Sequence, residues 1–214
     1  MIVHTKVHLN PHGSKRQNVG HHTLEKPILI IAFFSYIYRM KEAEKIYLDF
    51  VIDKLTNSIQ NTITGDSFPT EASRLTLNDL KTVTKKNGWL FDWKSELNDN
   101  KKDVYKLTIV NNPNIIQGLV SFSKEPDHIF MNLLENAPFN LGKNKIYDGV
   151  AGNLVAYVCK VAFQQGFDGF VAFLAKTKLI DHYAKTLGAN YIGGQRMIIP
   201  THSSKVLVEK YFKT

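Results

Sequence analysis

Residues 142 to 152 have the sequence Gly-Lys-Asn-Lys-Ile-Tyr-Asp-Gly-Val-Ala-Gly. Before this stretch lies an apolar run that ends in a carboxylate, His128 to Glu135. After it, apolar residues recur every three or four positions from Asn153 to Gln165, which predicts an amphipathic helix. The continuous apolar run Gly169 to Leu174 predicts a parallel strand covered on both faces. Strand, loop, helix and strand together predict a βαβ unit with a right-handed crossover.

The glycine-containing loop therefore lies at the N-terminus of a buried helix. Backbone N–H groups without an intrahelical partner and the positive end of the helix dipole meet there, and both favour an anionic phosphate. The sequence contains neither G-x-x-x-x-G-K-S/T nor G-x-G-x-x-G, which excludes a P-loop and a dinucleotide-binding fingerprint. The loop is thus predicted to bind a phosphate-bearing ligand of another class.

The loop resembles the acyl-CoA loop of the GNAT superfamily of N-acetyltransferases, whose motif is Gln/Arg-x-x-Gly-x-Gly/Ala. Ile146-Tyr-Asp-Gly149-Val-Ala151 matches its last two fixed positions, with Ile146 where the family has Gln or Arg. A second segment, Leu179-Ile-Asp-His-Tyr-Ala-Lys-Thr-Leu-Gly-Ala189, resembles the family pattern Ala-x-x-Phe/Leu-Tyr-x-Lys-Leu-Gly-Phe. The matches extend from about Phe68 to Ile199, most of the chain.

The resemblance implies an α+β fold of GNAT type, with a mixed, mostly antiparallel sheet, helices on both faces and a central βαβ unit carrying the acyl-CoA loop. The GNAT-like acetyltransferase domain is predicted over residues 68–214. Residues 40–67 are predicted to form an N-terminal amphipathic helix and a linker, with the helix over Lys41 to Ile59. Residues 1–39 are predicted to be a basic, His-rich extension outside the folded domain.

Three further segments have a local interpretation. Asp103 to Val110 and Ile115 to Ser123 are separated by Asn-Asn-Pro-Asn, which predicts a β-hairpin. Ser203 to Phe212 is predicted to be a closing helix. Gly88 to Trp93 brings three aromatic residues into six positions; it is either a substrate wall or a packing cluster beneath a loop, and the second interpretation is favoured because aromatics are chiefly core material.

The function implied by the resemblance is acetyl-CoA-dependent N-acetyltransfer, by direct transfer of the acetyl group to an amine acceptor. The alternative is a catalytically silent GNAT-like module that senses acyl-CoA or serves protein interaction. The acceptor is not specified, because resemblance at the level of the fold does not set a substrate.

The cofactor in this superfamily usually lies in a splay between two parallel strands, here 128–135 and 169–174. The residues implied to bind it lie on the first strand's end, on the loop, on the following helix and just after the second strand: Leu133, Leu134, Lys143, Lys145, Ile146, Gly149, Val150, Ala151, Gly152, Asn153 and Thr177. The two lysines can supply the positive charge that Ile146 does not, and Thr177 stands where many relatives have Asn.

Three residues are candidates for proton transfer. Glu135 is placed to accept the proton of the amine directly or through water, although a surface charge at a strand end is the other interpretation. Tyr183 is the candidate acid for the leaving thiolate, and His182 is the fallback. The family's tyrosine stands four residues before the motif glycine, and in this sequence that position is Ala184. Tyr183 stands one residue earlier, and a shift of one residue on a helix turns a side chain by about 100°.

Composition argues against several other classes. The single cysteine, Cys159, excludes a disulfide within the chain, favours a cytoplasmic setting and is interpreted as a small buried hydrophobe. The histidines of residues 1–26 fit no zinc spacing, so no metal is predicted. The apolar run Ile28 to Tyr38 is shorter than the about twenty residues that span a bilayer. The net charge is +8, but the sequence lacks the basic stripe interleaved with aromatics that would predict nucleic-acid binding.

Overall fold

The computed structural model describes residues 46–53 and 58–212, which lie within one compact unit, Lys45–Thr214. The strands in this part of the chain are β1 Ile59–Asn61, β2 Ser67–Phe68, β3 Thr70–Arg74, β4 Lys102–Ile109, β5 Asn112–Lys124, β6 Ile129–Asn136, β7 Tyr147–Asp148, β8 Val171–Leu174, β9 Asn190–Tyr191 and β10 Arg196–Ile199. The α-helices are α1 Trp93–Asn98, α2 Val150–Gln164, α3 Ile180–Leu187 and α4 Thr201–Tyr211.

The main sheet has seven strands in the order β3-β4-β5-β6-β8-β10-β9, and β2-β1-β7 form a small second sheet. Within the main sheet only β6 and β8 run parallel; the other neighbours are antiparallel. The predicted α+β fold with a mixed, mostly antiparallel sheet is therefore confirmed.

Two apolar clusters cover the two faces of the sheet. On β5, Val120 belongs to the cluster that contains α2, whereas its neighbour Leu119 belongs to the cluster that contains Trp93 of α1. Successive side chains of a strand point to opposite faces, so these helices lie on opposite sides of the sheet. The larger cluster, on the α2 side, also holds Cys159, which is fully buried as predicted and whose pKa is raised by burial to about 12.

The central βαβ unit is confirmed: β6, the loop, α2 and β8 follow in that order. Its parallel strands are paired only at Ile129 with Val171 and Phe130 with Ala172. Beyond these two pairs the carboxyl-terminal half of β6 continues without a pairing partner on β8, so the strands separate toward the ends that face the loop.

The predicted β-hairpin and closing helix are also confirmed. The hairpin is formed by β4 and β5, and its turn includes Asn111, whose φ of 67° is the left-handed conformation that Asn tolerates better than most residues. The closing helix is α4, which packs against α2 through Leu207 and Tyr211 of the larger cluster.

The helix predicted over Lys41 to Ile59 is wrong in its described part. Residues 46–53 are extended, with Leu48 in a parallel bridge to Ala175, and Ile59 begins a strand. The burial of this stretch alternates: Leu48, Phe50 and Ile52 are buried, while the residues between them are exposed. The sequence satisfies both a helical and a two-residue period, and the open edge of β8 selects the second. Residues 1–45 lie outside the described part of the chain, as do 54–57.

Candidate active site and cofactor groove

A β-bulge decides which way the end of β6 faces. Leu133 pairs with Ser121 and Met131 pairs with Phe122, so Asn132 is an extra residue in β6. Met131 packs on the α2 side; the bulge then turns Leu133 to the opposite side and Leu134 back to the α2 side. Glu135, two residues after Leu133, consequently points toward Trp93 and not toward α2.

The carboxylate of Glu135 is buried, with 4% of the residue exposed. The backbone N–H of Leu90 donates to Oε1 at 2.6 Å, and Nε1 of Trp93 donates to Oε2 at 2.6 Å. A backbone donor and a side-chain donor, three residues apart, therefore fix the carboxylate. A carboxylate offers about four lone-pair positions, so acceptor capacity is left over after these two bonds. The interpretation of Glu135 as a surface charge is wrong.

A cavity of about 360 Å³ adjoins this carboxylate. Its walls combine the end of β6, residues 90–91, residues of the 140–145 loop and residues of the 49–53 stretch, and they include Leu134, Glu135, Asn136 and Lys145. The buried Oδ1 of Asn136 has no hydrogen-bond partner among the described residues. The cavity is thus lined by the side chains of a glutamate and a lysine.

The glycine loop holds an anion, and that anion is a side chain of the same chain. Gly149 precedes α2 with a φ of 86°, and its N–H donates to Oδ1 of Asp53 at 3.0 Å. Nζ of Lys145 lies 2.7 Å from Oδ2 of Asp53 and 2.6 Å from Oδ1 of Asp148. Burial alone lowers the pKa of Lys145, but the hydrogen bonds with Asp148 and Asp53 outweigh it, so this pKa lies above its ordinary value.

The donor set of this loop suits an anionic ligand. A backbone N–H at a helix N-terminus and an ammonium group are the groups that bind phosphate oxygens. In this structure the carboxylate of Asp53 is the anion that these two groups bind. The residues present therefore fit the diphosphate of acyl-CoA.

The remaining loop residues divide into exposed and buried ones. Lys143 and Ile146 are exposed, and Ile146 keeps 42% of its surface open to solvent. Val150, Ala151 and Gly152 are buried in the first turn of α2. Asn153 is also buried; its side chain donates to the carbonyl of Gly149 at 3.0 Å and accepts from the hydroxyl of Thr70 at 2.9 Å. The role of Asn153 in this conformation is to hold the loop.

Tyr183 and His182 point into the gap between β6 and β8. The Tyr183 hydroxyl donates to the carbonyl of Phe50 at 2.7 Å and accepts from the Phe50 N–H at 3.2 Å. His182 Nε2 accepts from the N–H of Ile52 at 2.8 Å. Burial raises the pKa of Tyr183 above its ordinary value. Ala184, at the motif position of the tyrosine, is exposed, so the offset of one residue does not turn Tyr183 away from the gap.

Thr177 and Leu133 are not brought to the cavity. The hydroxyl of Thr177 accepts from Nε2 of Gln195 at 2.9 Å on an exposed turn. Leu133 packs in the smaller cluster with Trp89 and Trp93. Leu134, Glu135 and Lys145 line the cavity together, whereas Gly149, Tyr183 and His182 contact residues 50–53.

Sequence reasoning missed Trp93 and Asp53 as parts of the site. Trp93 belongs to the Gly88 to Trp93 stretch, where a packing cluster was favoured, and it does pack in the core. Its bond to Glu135 spans 42 positions of the chain, so no local sequence pattern signalled it. Asp53 gave no signal, because its partners Lys145 and Gly149 are more than ninety positions away.

We expect Trp93→Phe to destabilise the protein by about 2–4 kcal/mol, because it removes a bond to a buried carboxylate and leaves a cavity. The matched control is Trp89→Phe in the same cluster, which has only the packing loss. Thermal unfolding followed by circular dichroism measures both. Equal losses of melting temperature in the two variants would mean that the indole–carboxylate bond contributes nothing.

Comparison with known proteins gives a likeness of fold. No protein-family model matches the chain, and no curated protein matches it. Similar solved structures are N-acetyltransferases with the GNAT fold. The ribosomal-protein-S18-alanine N-acetyltransferase from Escherichia coli is 13% identical, with 62% of this chain and 94% of that chain covered and a TM-score of 0.45.

Two further structures were solved with ligands. Spermidine N-acetyltransferase from Vibrio cholerae in complex with CoA and spermine is 14% identical, covers 64% of this chain and 98% of that one, and has a TM-score of 0.46. AtaTR bound with acetyl-CoA is 18% identical, covers 65% and 98%, and has a TM-score of 0.43. At these identities neither an acceptor nor an activity can be transferred to this chain.

Two classes of feature are absent from residues 46–53 and 58–212. No helix there is long and apolar enough to cross a membrane. No group of three or more His, Cys, Asp or Glu side chains in the same ranges is arranged to hold a metal ion.

Proposed function

We propose that this protein is an acetyl-CoA-dependent N-acetyltransferase that transfers the acetyl group directly to an amine. The observation that carries the proposal is the cavity that joins the fixed carboxylate of Glu135 to Lys145 of the anion-binding loop. An enzyme of this class needs a base beside the amine and a phosphate site for the cofactor, and one cavity reaches both.

In the proposed reaction Glu135 accepts a proton from the amine, directly or through one water. Its two protein donors leave lone pairs free and prevent the carboxylate from rotating away from the cavity. Acetyl-CoA, when bound, supplies the thioester whose acetyl group is transferred.

The other end of the groove provides charge and an acid. Gly149 N–H and Lys145 bind the diphosphate, with Lys143 exposed nearby. The hydroxyl of Tyr183 protonates the leaving thiolate, since a phenol carries its proton at neutral pH. His182, one residue earlier on α3, is the alternative donor once its Nε2 is free of Ile52.

A catalytically silent module that senses acyl-CoA is the second candidate function. The observation that favours it is that residues 50–53 occupy the hydrogen-bonding groups of Gly149, Tyr183 and His182. In this role cofactor binding would rearrange the chain without a chemical step.

The deciding experiment measures binding and turnover on the same wild-type preparation. Calorimetry compares acetyl-CoA, coenzyme A and ATP, and thiol release is followed over a panel of polyamines, peptide N-termini, lysine peptides and small amines. We expect binding of acetyl-CoA and coenzyme A but not ATP, with acetylation of at least one class of amine. Binding without turnover across the panel would favour the silent module, and absence of any coenzyme A binding would contradict both functions.

A further inference from the structure

Residues 46–53 form an extended segment, here called the groove segment, that fills the gap between the separating strands β6 and β8. The N–H of Leu48 donates to the carbonyl of Leu174 at 2.7 Å, and the N–H of Lys176 donates to the carbonyl of Leu48 at 3.2 Å. This pairing adds a short parallel strand to the open edge of β8. Leu48, Phe50 and Ile52 are each less than 7% exposed, so the segment is packed into the core.

The groove segment takes the same groups that the proposed function assigns to the cofactor. The carbonyl of Phe50 accepts from the Tyr183 hydroxyl, the N–H of Phe50 donates to it, and the N–H of Ile52 donates to Nε2 of His182. Asp53 then takes the N–H of Gly149 and the ammonium group of Lys145. The segment therefore follows one continuous line from the candidate acid to the anion-binding loop.

Charge complementarity anchors the segment at both of its ends. Asp49 is paired with Lys176 and lies 3.3 Å from Nζ of Lys178. The hydrogen bond from Lys176 holds the pKa of Asp49 below its ordinary value. The anchor at the other end is the bond of Asp53 with Lys145, whose side chain is 25% exposed.

We propose that the groove segment is an intramolecular competitor of acyl-CoA, with the Asp53 carboxylate occupying the diphosphate position at Gly149. The inference rests on the proposed function, because it takes the groove to be the acyl-CoA site. Two groups cannot accept the same N–H at once, so the cofactor binds only when Asp53 leaves Gly149. The apparent affinity for acetyl-CoA is then the intrinsic affinity multiplied by the fraction of molecules in which the segment is undocked.

A reversible lock tests this competition in the full-length chain. Leu48 and Ala175 are bridge partners, and neighbouring strands lie about 4.7–4.9 Å apart, which suits a disulfide. In the double variant Leu48→Cys/Ala175→Cys, oxidation with glutathione disulfide should lower acetyl-CoA affinity by at least tenfold, and dithiothreitol should restore it. Glu71→Cys/Thr108→Cys, a bridged pair on β3 and β4 away from the groove, is the matched control.

A second variant weakens the anchor instead of fixing it. Asp53→Ala removes the carboxylate from Gly149 and Lys145, so acetyl-CoA affinity should rise about threefold to tenfold. Asp66→Ala, which removes a carboxylate from an exposed turn, should leave the affinity unchanged. Amide hydrogen exchange supplies a readout that does not depend on activity: acetyl-CoA should abolish protection of the Leu48, Phe50 and Ile52 amides.

The outcomes separate the inference from the function on which it rests. If the oxidised double variant binds acetyl-CoA as tightly as the reduced one, or if the three amides stay protected in the complex, the segment is a fixed wall and the competition is overturned while the proposed function stands. If neither wild type, reduced double variant nor Asp53→Ala binds coenzyme A, the proposed function itself is overturned, and the inference with it.

Discussion

Replacing Glu135 by glutamine is expected to lower the rate of acetyl transfer by about 10²–10⁴-fold, the usual cost of losing a general base. Glutamine preserves the size of the side chain, and its amide oxygen can still accept one of the bonds from Leu90 and Trp93. It cannot take a proton from an amine at neutral pH. The affinity for acetyl-CoA should change little, because the carboxylate is bonded to Leu90 and Trp93 and not to the anion-binding loop.

The matched control for this variant is Glu96→Gln. Glu96 is a buried glutamate on α1, it binds Lys102 at 2.7 Å, and it does not line the cavity. Both variants are assayed for thiol release at equal, verified cofactor occupancy, with the melting temperature recorded for each. A Glu135→Gln variant that turns over as fast as Glu96→Gln would remove Glu135 from the role of base.

The βαβ unit could be predicted from the sequence because each of its three elements has a clear local pattern. The apolar runs of β6 and β8 and the helical spacing of α2 need no information about distant contacts. The loop before α2 was found for the same reason: a glycine at the N-terminus of a helix is a local signal, and Gly149 does have the positive φ that favours glycine.

The direction of Glu135 could not be predicted, because it depends on one extra residue in a strand pair. With strict alternation Glu135 would share a face with Met131; the bulge at Asn132 places it on the opposite face, against Trp93. A bulge is set by the pairing of two strands, and no single-strand pattern specifies it.

The groove segment was mistaken for a helix for a comparable reason. The apolar residues between 46 and 53 fit a helical stripe as well as a two-residue alternation, and the choice between them is made by the unpaired edge of β8 at Ala175. Tertiary context decides such cases. The same contact brings Asp53 to Gly149, so one local ambiguity concealed both a strand and a component of the site.

Replacing Gly149 by valine is expected to weaken acetyl-CoA binding by at least tenfold, equivalent to about 1.4 kcal/mol or more. Gly149 has a φ of 86°, a conformation in which a β-branched residue is strained, so the loop must rotate and its N–H must move away from the anion position. The measurement is made in the Asp53→Ala background, because competition from the groove segment would otherwise mask part of the loss.

The matched control is Gly166→Val, which introduces a similar backbone strain at a position outside the groove. Gly166 has a φ of 80°, and a Cβ there would meet no atom within 4 Å, so its substitution costs backbone strain of about 1–3 kcal/mol and nothing in the groove. Both variants should therefore show similar falls in melting temperature, while only Gly149→Val loses affinity by calorimetry. A folded Gly149→Val variant that binds acetyl-CoA as tightly as Gly166→Val would contradict this prediction. The backbone N–H of residue 149 would then have moved without any effect on the ligand, so the loop would not contact the diphosphate.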